Sequence, residues 1–320
     1  MSHYGVIDLG SNSIRLVVYD VKSNVSKPVA KKDFKSVINE KKIAGLSAYV
    51  QDGVFTQDGI NRAIEVLEEH LKRARNLDCE RICIFATAVL RNCSNSKEAV
   101  RAISDAIKLP IDLLSARDEA HLGFVGATCD RTIESGTLID IGGGSLEVAM
   151  GSDEDPTVAL SVPAGAGRVT REFLPESGVA DDDDLEAARK NIRKILEPMV
   201  KSFPKSKHPM HAVGTSKTIR SLARLAGAVM RQPGRVDTSI MTIDQLEDWL
   251  PRLAAIAPDQ RTALPGVTPE RTYQIVGGGL VIDEIMKALD VKEIEICPWA
   301  LREGAILRWL DQFGRTRLGF

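Results

Sequence analysis

Apolar and polar positions along the chain follow two rhythms. Short apolar runs rich in β-branched residues predict strands at Gly5–Asp8, Ile14–Asp20, Arg81–Ala86, Leu138–Ile141, Leu146–Met150, Val158–Val162, Ala212–Val213 and Glu293–Cys297. Between them, apolar residues three and four apart predict helices. Ile60, Ile64, Leu67, Leu71 and Ala74 form one stripe; Leu185, Ala188, Ile192, Ile195, Met199 and Phe203 form another. The second opens on Asp181–Asp184 and ends near Lys201, the charge order a helix macrodipole favours, so the acidic run reads as a solvated helix start rather than a metal site. Strands alternating with helices indicate an α/β protein. Ser152–Pro156, Pro204–Pro209 and Gln232–Asp237 read as loops.

Within that alternation one pattern occurs twice. Val6-Ile-Asp-Leu-Gly-Ser-Asn-Ser-Ile-Arg-Leu-Val-Val18 returns 132 residues later as Leu138-Ile-Asp-Ile-Gly-Gly-Gly-Ser-Leu-Glu-Val-Ala-Met150. Asp8 matches Asp140, Gly10 matches Gly142, Ser13 matches Ser145, and Arg15 stands where Glu147 stands. Each copy is an apolar strand ending in Asp, a small polar turn and a second apolar strand, which is a β-hairpin. A duplicated hairpin predicts two similar lobes, each giving one turn to a shared cleft. The chain's 320 residues agree, since about 150 residues make a typical domain.

Composition narrows the classes. Forty-two basic against 44 acidic side chains give a formal charge of −2, so no overall field draws nucleic acid or a membrane surface. No apolar run approaches the roughly 18 residues that span a bilayer. The aspartate at position 8 argues against a secretory leader. Cysteines 79, 83, 93, 129 and 297 show no CxxC or metal-ligand spacing and read as thiols of a reducing cytoplasm. The charge is uneven: residues 1–50 carry eight Lys or Arg against four Asp or Glu, with Lys31, Lys32, Lys35, Lys41 and Lys42 as candidates for steering a polyanion.

The two turns suggest the chemistry. Gly10-Ser11-Asn12-Ser13 and Gly142-Gly143-Gly144-Ser145 are small and polar, and such turns aim successive N–H groups and hydroxyls into an anion cradle. One such turn reads as an ordinary tight hairpin; two matched copies point to phosphate. There is no GxxxxGK[ST], and GGGS leads into a strand rather than a helix, so neither a P-loop nor a dinucleotide fold fits. Phosphoryl transfer commonly uses magnesium on carboxylates. Asp140 and Glu147 flank one turn, and Asp8 comes from the other lobe; these are the metal candidates. Glu119, in Arg117-Asp-Glu-Ala120, is a candidate general base for water, although acids in a first helical turn are common anyway. Arg91 is a candidate phosphate contact or a surface arginine. Gly214, Thr215, Ser216 and Lys217 join a strand to a helix and form a second anion site. The histidines lack ligand spacing; His121 alone is close enough to Glu119 in sequence to be an auxiliary.

With these residues in hand, the chain resembles the exopolyphosphatase / guanosine pentaphosphate phosphohydrolase family. The resemblance runs through VIDLGSNSIRLVVYD at 6–20, ATAVLRN at 86–92, SARDEAHLGFVGA at 115–127, LIDIGGGSLEVAMG at 138–151, VPAGAGRVTREFL at 162–174, AVGTSKTIRSLARLAG at 212–227 and ICPWALREGAILRWL at 296–310. The last two look like the short actinobacterial form. The resemblance implies an α/β fold of two ribonuclease H-like domains, of the actin, Hsp70 and sugar kinase superfamily, with a cleft between them. It implies domains at 1–122 and 123–301, with a C-terminal helix at 302–320 packing back on the first.

It also implies roles. Glu119 matches the catalytic base, Asp140 and Glu147 match acids assigned to magnesium (or manganese) and the attacking water, and Arg91 matches a phosphate-contacting arginine. Ser11–Ser13 and Gly142–Ser145 match phosphate-holding turns, and Gly214, Thr215 and Ser216 match a loop at the cleft. Ser115-Ala116-Arg117 stands where the family often has Ser-Gly before its acidic pair, which puts loop shape and substrate contacts in question there; Lys217 stands where it often has Gly, as a contact to an additional phosphate or a cap on a surface helix. The implied activity is release of terminal orthophosphate from inorganic polyphosphate, short chains first, because the length leaves no room for the helical C-terminal region of longer members. Alternatives are hydrolysis of guanosine pentaphosphate, with a link to the stringent response, a kinase or ATPase of the superfamily, and a non-catalytic nucleotide sensor. Monomer or homodimer stays open.

Overall fold

A computed structural model of the chain describes residues 2–22, 33–128, 136–152, 155–204, 211–227 and 240–311. Lys31, Lys32, Cys129, His208, the stretch 232–237 and residues 312–320 of the expected final helix lie outside them. The chain divides into two units, residues 1–131 with 301–320, and residues 132–300. This division leaves the helix that carries Glu119 undivided.

The first unit is built on a five-stranded sheet of order β3-β2-β1-β6-β7. Its strands are β1 (Ser2–Leu9), β2 (Ser13–Val21), β3 (Phe34–Ile43), β6 (Cys79–Ala86) and β7 (Asp112–Leu113), and a two-stranded ribbon holds β4 (Val50–Gln51) and β5 (Val54–Phe55). β1 and β2 form the expected hairpin, with Asp8 opposite Arg15. Helices α1 (Gln57–Arg75), α2 (Ala88–Arg91), α3 (Ser96–Ile107) and α4 (Ala116–Thr128) follow. Thr56 starts α1 by accepting the Gly59 amide on its hydroxyl at 3.2 Å, and Lys72, Arg73 and Arg75 fill its last turn as the helix dipole prefers. Ile60, Leu67, Leu71 and Ala74 of the predicted stripe are buried in the core with β1 and β2, and Ile64 is partly buried against it.

The second unit carries a six-stranded sheet of order β10-β9-β8-β11-β13-β12. Its strands are β8 (Gly136–Ile141), β9 (Leu146–Ser152), β10 (Asp155–Val162), β11 (His211–Gly214), β12 (Ile240–Thr242) and β13 (Glu293–Ile296). Here the hairpin places Asp140 opposite Glu147. The helices are α5 (Ala166–Phe173), α6 (Asp182–Val200), α7 (Lys217–Leu225), α8 (Ile243–Ala255) and α9 (Ile275–Ala288). The acidic run at 181–184 is the helix start expected of it: Asp181 accepts from the Asp184 amide at 2.9 Å, and Asp184 accepts from the Asp181 amide at 3.2 Å. α9 is buried nearly all round and packs with α5, α6, α7 and α8, so it is the centre of this core.

The last described helix, α10 (Leu301–Asp311), belongs to the first unit and lies against α4. A Cβ at Gly304 would overlap the Leu122 carbonyl, so only glycine lets the helices approach this closely. Trp309 of α10 meets Tyr4 of β1 edge-on, with ring centroids 5.7 Å apart. Among the described residues no helix is long and apolar enough to cross a membrane.

Candidate active site

In the first unit the turn Gly10–Ser13 closes with the Gly10 amide donating to the Ser13 carbonyl at 3.1 Å. Its outer carbonyls are occupied. Ser11 O accepts from Ser47 N at 2.9 Å, and Asn12 O accepts from Ala44 N at 3.0 Å and Gly45 N at 2.9 Å. The amides of Ser11 and Asn12 have no acceptor among the described residues. A turn whose carbonyls are consumed and whose N–H groups remain presents donors only, which is what an anion requires.

The second unit repeats the device with different parts. Gly142 N donates to Ser145 O at 2.9 Å, while Gly142 O and Gly143 O accept from Ala166 N at 2.9 Å and Arg168 N at 3.0 Å at the start of α5. A Cβ at Gly165 would overlap the backbone of Gly144 and Ser145, so the glycine is what admits α5 to the turn. The amides of Gly143, Gly144 and Ser145 have no acceptor among the described residues.

The acids separate by environment. In RDEA, Asp118 is structural: its carboxylate accepts the Ser115 amide at 3.0 Å, and its amide donates to Ser115 Oγ at 3.1 Å, so it caps α4. Glu119 pairs with Arg91, whose Nη1 donates to Glu119 Oε2 at 2.7 Å and to Leu114 O at 3.1 Å. The two side chains are only 15% and 16% exposed, so the contact fixes the carboxylate better than a surface pair would. His121 is engaged elsewhere, its Nε2 lying 2.7 Å from Arg308 Nη2. Asp8, the penultimate residue of β1, accepts from Arg302 Nη1 at 3.3 Å. Burial pushes its carboxyl up; Arg302 and then Arg15 pull it back down, and Glu303 pushes it up again.

Glu147 is 5% exposed and accepts from Ser161 Oγ at 2.8 Å. Asp140 faces it across the hairpin and lies within the electrostatic reach of Arg271. Among the described residues no three or more His, Cys, Asp or Glu form a metal-holding group. A carboxylate pair beside free amides nevertheless fits magnesium, which takes one or two carboxylates and completes its octahedron with phosphate oxygens and water.

Gly214–Lys217 leads from β11 into α7. Ser216 caps the helix by accepting the Ile219 amide at 3.0 Å, Thr215 is buried with no partner for its hydroxyl among the described residues, and Lys217 is exposed. Arg271 reaches this helix, donating to Thr218 Oγ1 at 3.1 Å, and burial lowers its pKa. Pattern reading missed it, because a single arginine in ERTYQ carries no periodic signal. Its loop is pinned by Arg261, fully buried, which donates to Thr272 O at 2.6 Å, Leu253 O at 3.1 Å and Gly178 O at 2.5 Å. Of the predicted steering lysines, Lys42 is ion-paired with Glu69, while nearby Arg73 holds Glu40 at 2.8 Å, so less of the basic charge is free than the count suggests.

Known proteins share this arrangement of elements. The Ppx/GppA phosphatase family model matches residues 21–313. Exopolyphosphatase 1 of Mycobacterium tuberculosis (strain ATCC 25618 / H37Rv) is 35% identical over 314 residues, covering 96% of this chain and 88% of that protein. Exopolyphosphatase 1 of Mycobacterium leprae is 34% identical over 313 residues, covering 96% and 89%. Among solved structures, the Aquifex aeolicus Ppx/GppA family member superposes with a TM-score of 0.82 at 21% identity, over 98% of this chain and 99% of that one. An exopolyphosphatase from Cytophaga hutchinsonii gives 0.82 at 21%, over 99% and 100%. The structural likenesses establish the expected actin-like α/β fold, and with the family match and the full-length relatives they lead to one conclusion: the chain belongs to the Ppx/GppA phosphatase family.

Proposed function

We propose that the protein is a cytoplasmic, magnesium-dependent exopolyphosphatase that releases terminal orthophosphate from inorganic polyphosphate. The geometric observation behind the reading is the Gly142–Ser145 turn, whose Gly142, Gly143 and Ser145 carbonyls are occupied, whose Gly143, Gly144 and Ser145 amides have no acceptor among the described residues, and which stands between Asp140 and Glu147. The substrate class follows from relatives named exopolyphosphatase that match nearly the whole chain.

The roles are those that the family resemblance implies, and the chemistry of the residues supports them. Glu119 takes the proton of a water whose oxygen attacks the terminal phosphorus, the bridging P–O bond breaks, and the shortened chain leaves with the electron pair. Arg91 fixes the direction of the Glu119 carboxylate. Amides of the turns hold non-bridging oxygens as their charge grows, which lowers the barrier electrostatically. Asp140 and Glu147 would hold magnesium, which would supply charge neutralisation at the transferred group.

The test is phosphate release from polyphosphates of defined length, with guanosine pentaphosphate assayed alongside. Glu119→Gln is expected to lower kcat by about 10²–10⁴-fold with an unchanged melting temperature. Undiminished release by that variant removes Glu119 as base. Release from guanosine pentaphosphate alone replaces the substrate.

A further inference from the structure

The segment 296–310 has no part in the chemistry above, yet α10 touches both elements of the first unit that carry it. Arg302 bonds Asp8 on β1, and Glu303 accepts from the Tyr19 hydroxyl on β2 at 3.2 Å. Gly304 closes on Leu122, and Arg308 meets His121, both on the helix of Glu119. Asp8 and Arg302 stand 294 residues apart in sequence, so a dedicated return of the chain builds this ion pair.

The pair is mostly shielded, with side chains 17% and 25% exposed. A guanidinium carries five N–H donors. Among the described residues the only side chain that Arg302 bonds is Asp8, and its buried Nε has no hydrogen-bond partner. An arginine retained for stability usually fills its fork, as Arg261 does with backbone carbonyls. The position of Asp8 gives the pair its consequence. It lies two residues before a turn that presents N–H groups to an anion, where an uncompensated carboxylate repels the ligand.

We infer that Arg302 is a positioning residue of the phosphate site: acting through Asp8, it neutralises and holds the carboxylate beside the Gly10–Ser13 turn so that the turn accepts a phosphate anion. This rests on the phosphate-handling reading of the turn. The C-terminal motif is then part of the site's electrostatics as well as of the fold.

The experiment compares full-length Arg302→Gln, Arg302→Lys and the double variant Asp8→Asn/Arg302→Gln. Calorimetric binding of inorganic tripolyphosphate, melting temperature, and kcat and KM are measured for each. Arg302→Gln is expected to weaken tripolyphosphate binding and raise KM by about tenfold, the scale of one lost charge partner, with a smaller change in kcat. Arg302→Lys, which keeps the charge, recovers most of the binding. The double variant also recovers it to within about threefold, because the repelling carboxylate has gone with its partner. A scaffold role alone would give loss without that recovery.

If Arg302→Gln does not fold, the lysine and double variants carry the comparison against wild type. Wild-type affinity in Arg302→Gln, or a double variant that binds as weakly as the single one at equal melting temperature, overturns the inference. Wild-type binding without hydrolysis overturns the exopolyphosphatase reading and leaves Arg302 still measurable. Absence of wild-type binding overturns both.

Discussion

The two hairpin turns share a backbone and differ in charge. Each follows a strand whose penultimate residue is aspartate, and each closes by a glycine amide donating to a serine carbonyl, at 3.1 Å in one unit and 2.9 Å in the other. Opposite the aspartate stands Arg15 in the first unit and Glu147 in the second. The first aspartate also receives Arg302, so that turn sits in a compensated field that suits an incoming anion. The second keeps two facing carboxylates, one buried and hydrogen-bonded to Ser161, which suits a cation bound together with an anion. On the function proposed above, one duplicated device would serve phosphate directly in the first unit, where Arg15 and Arg302 face the aspartate, and through a metal in the second, where Glu147 does.

The largest way to break this comparison is to exchange its charges. Glu147→Gln is expected to raise the half-saturating magnesium concentration by at least about 10–100-fold and to depress kcat with it. Arg15→Gln is expected to change KM for polyphosphate and leave the magnesium requirement where it was. Magnesium titrations of both variants, by activity and by calorimetry without substrate, decide it. Equal effects of the two substitutions on magnesium would mean that the turns have not specialised.

That contrast was readable in the sequence because a hairpin writes its register directly. Asp8 opposite Arg15 and Asp140 opposite Glu147 follow from counting outward from each turn. The capped start of α6 was readable for the same reason, since a cap is a local interaction. What escaped is what depends on distant partners or lacks a period. β3 was missed because Lys35, Ser36, Val37 and Asn39 lie exposed on a sheet edge, where no buried face imposes alternation. α9 was missed because a helix buried all round shows no polar face. Arg271 and Arg302 acquire partners only when the chain returns from far along its length, and the occupied carbonyls of Ser11 and Gly142 depend on residues 36 and 24 positions downstream, Ser47 and Ala166, by contacts no motif records.

Those braces give the second prediction, because the same function is served by opposite uses of glycine. Gly165→Ala puts a methyl group into the backbone of Gly144 and Ser145, and the expected cost is about 1–3 kcal/mol, as for overpacking, with the turn displaced and phosphate binding lost. Gly143→Ala, whose Cβ meets nothing within 4 Å, should melt with the wild type. In the first unit Gly45 serves by conformation, at φ +62° with open space around it. Gly45→Ala is therefore expected to cost about 1–2 kcal/mol through the left-handed backbone alone, and Gly45→Asn less. Thermal melts of the four variants distinguish steric from conformational demand. A Gly165→Ala protein that melts and binds tripolyphosphate like wild type would mean that α5 does not brace the turn.

The smallest expected effect lies at Ile14, one residue after the first turn, where a buried histidine should make the first unit the more sensitive to acid. His70 on α1 is fully buried; its Nε2 lies 3.1 Å from the Ile14 carbonyl, one residue after the turn, and its Nδ1 has no partner among the described residues. Burial lowers its pKa, the Ile14 carbonyl raises it, Lys42 lowers it and Glu40 raises it, with a net shift downward. The unfolded chain therefore takes up this proton first. The stabilisation is complete above the unfolded value near 6.5 and is lost as pH falls from there through the folded value, by at most about 1.4 kcal/mol per pH unit. Hydrogen exchange between pH 7 and pH 5 should show amides of β1 and β2 losing protection, after correction for intrinsic rates, faster than those of β8 and β9. His70→Gln keeps a donor for the Ile14 carbonyl without a titrating ring, and it should remove that excess loss. Persistence of the excess in His70→Gln would place the acid sensitivity of the first hairpin in another group and leave His70 a packing residue.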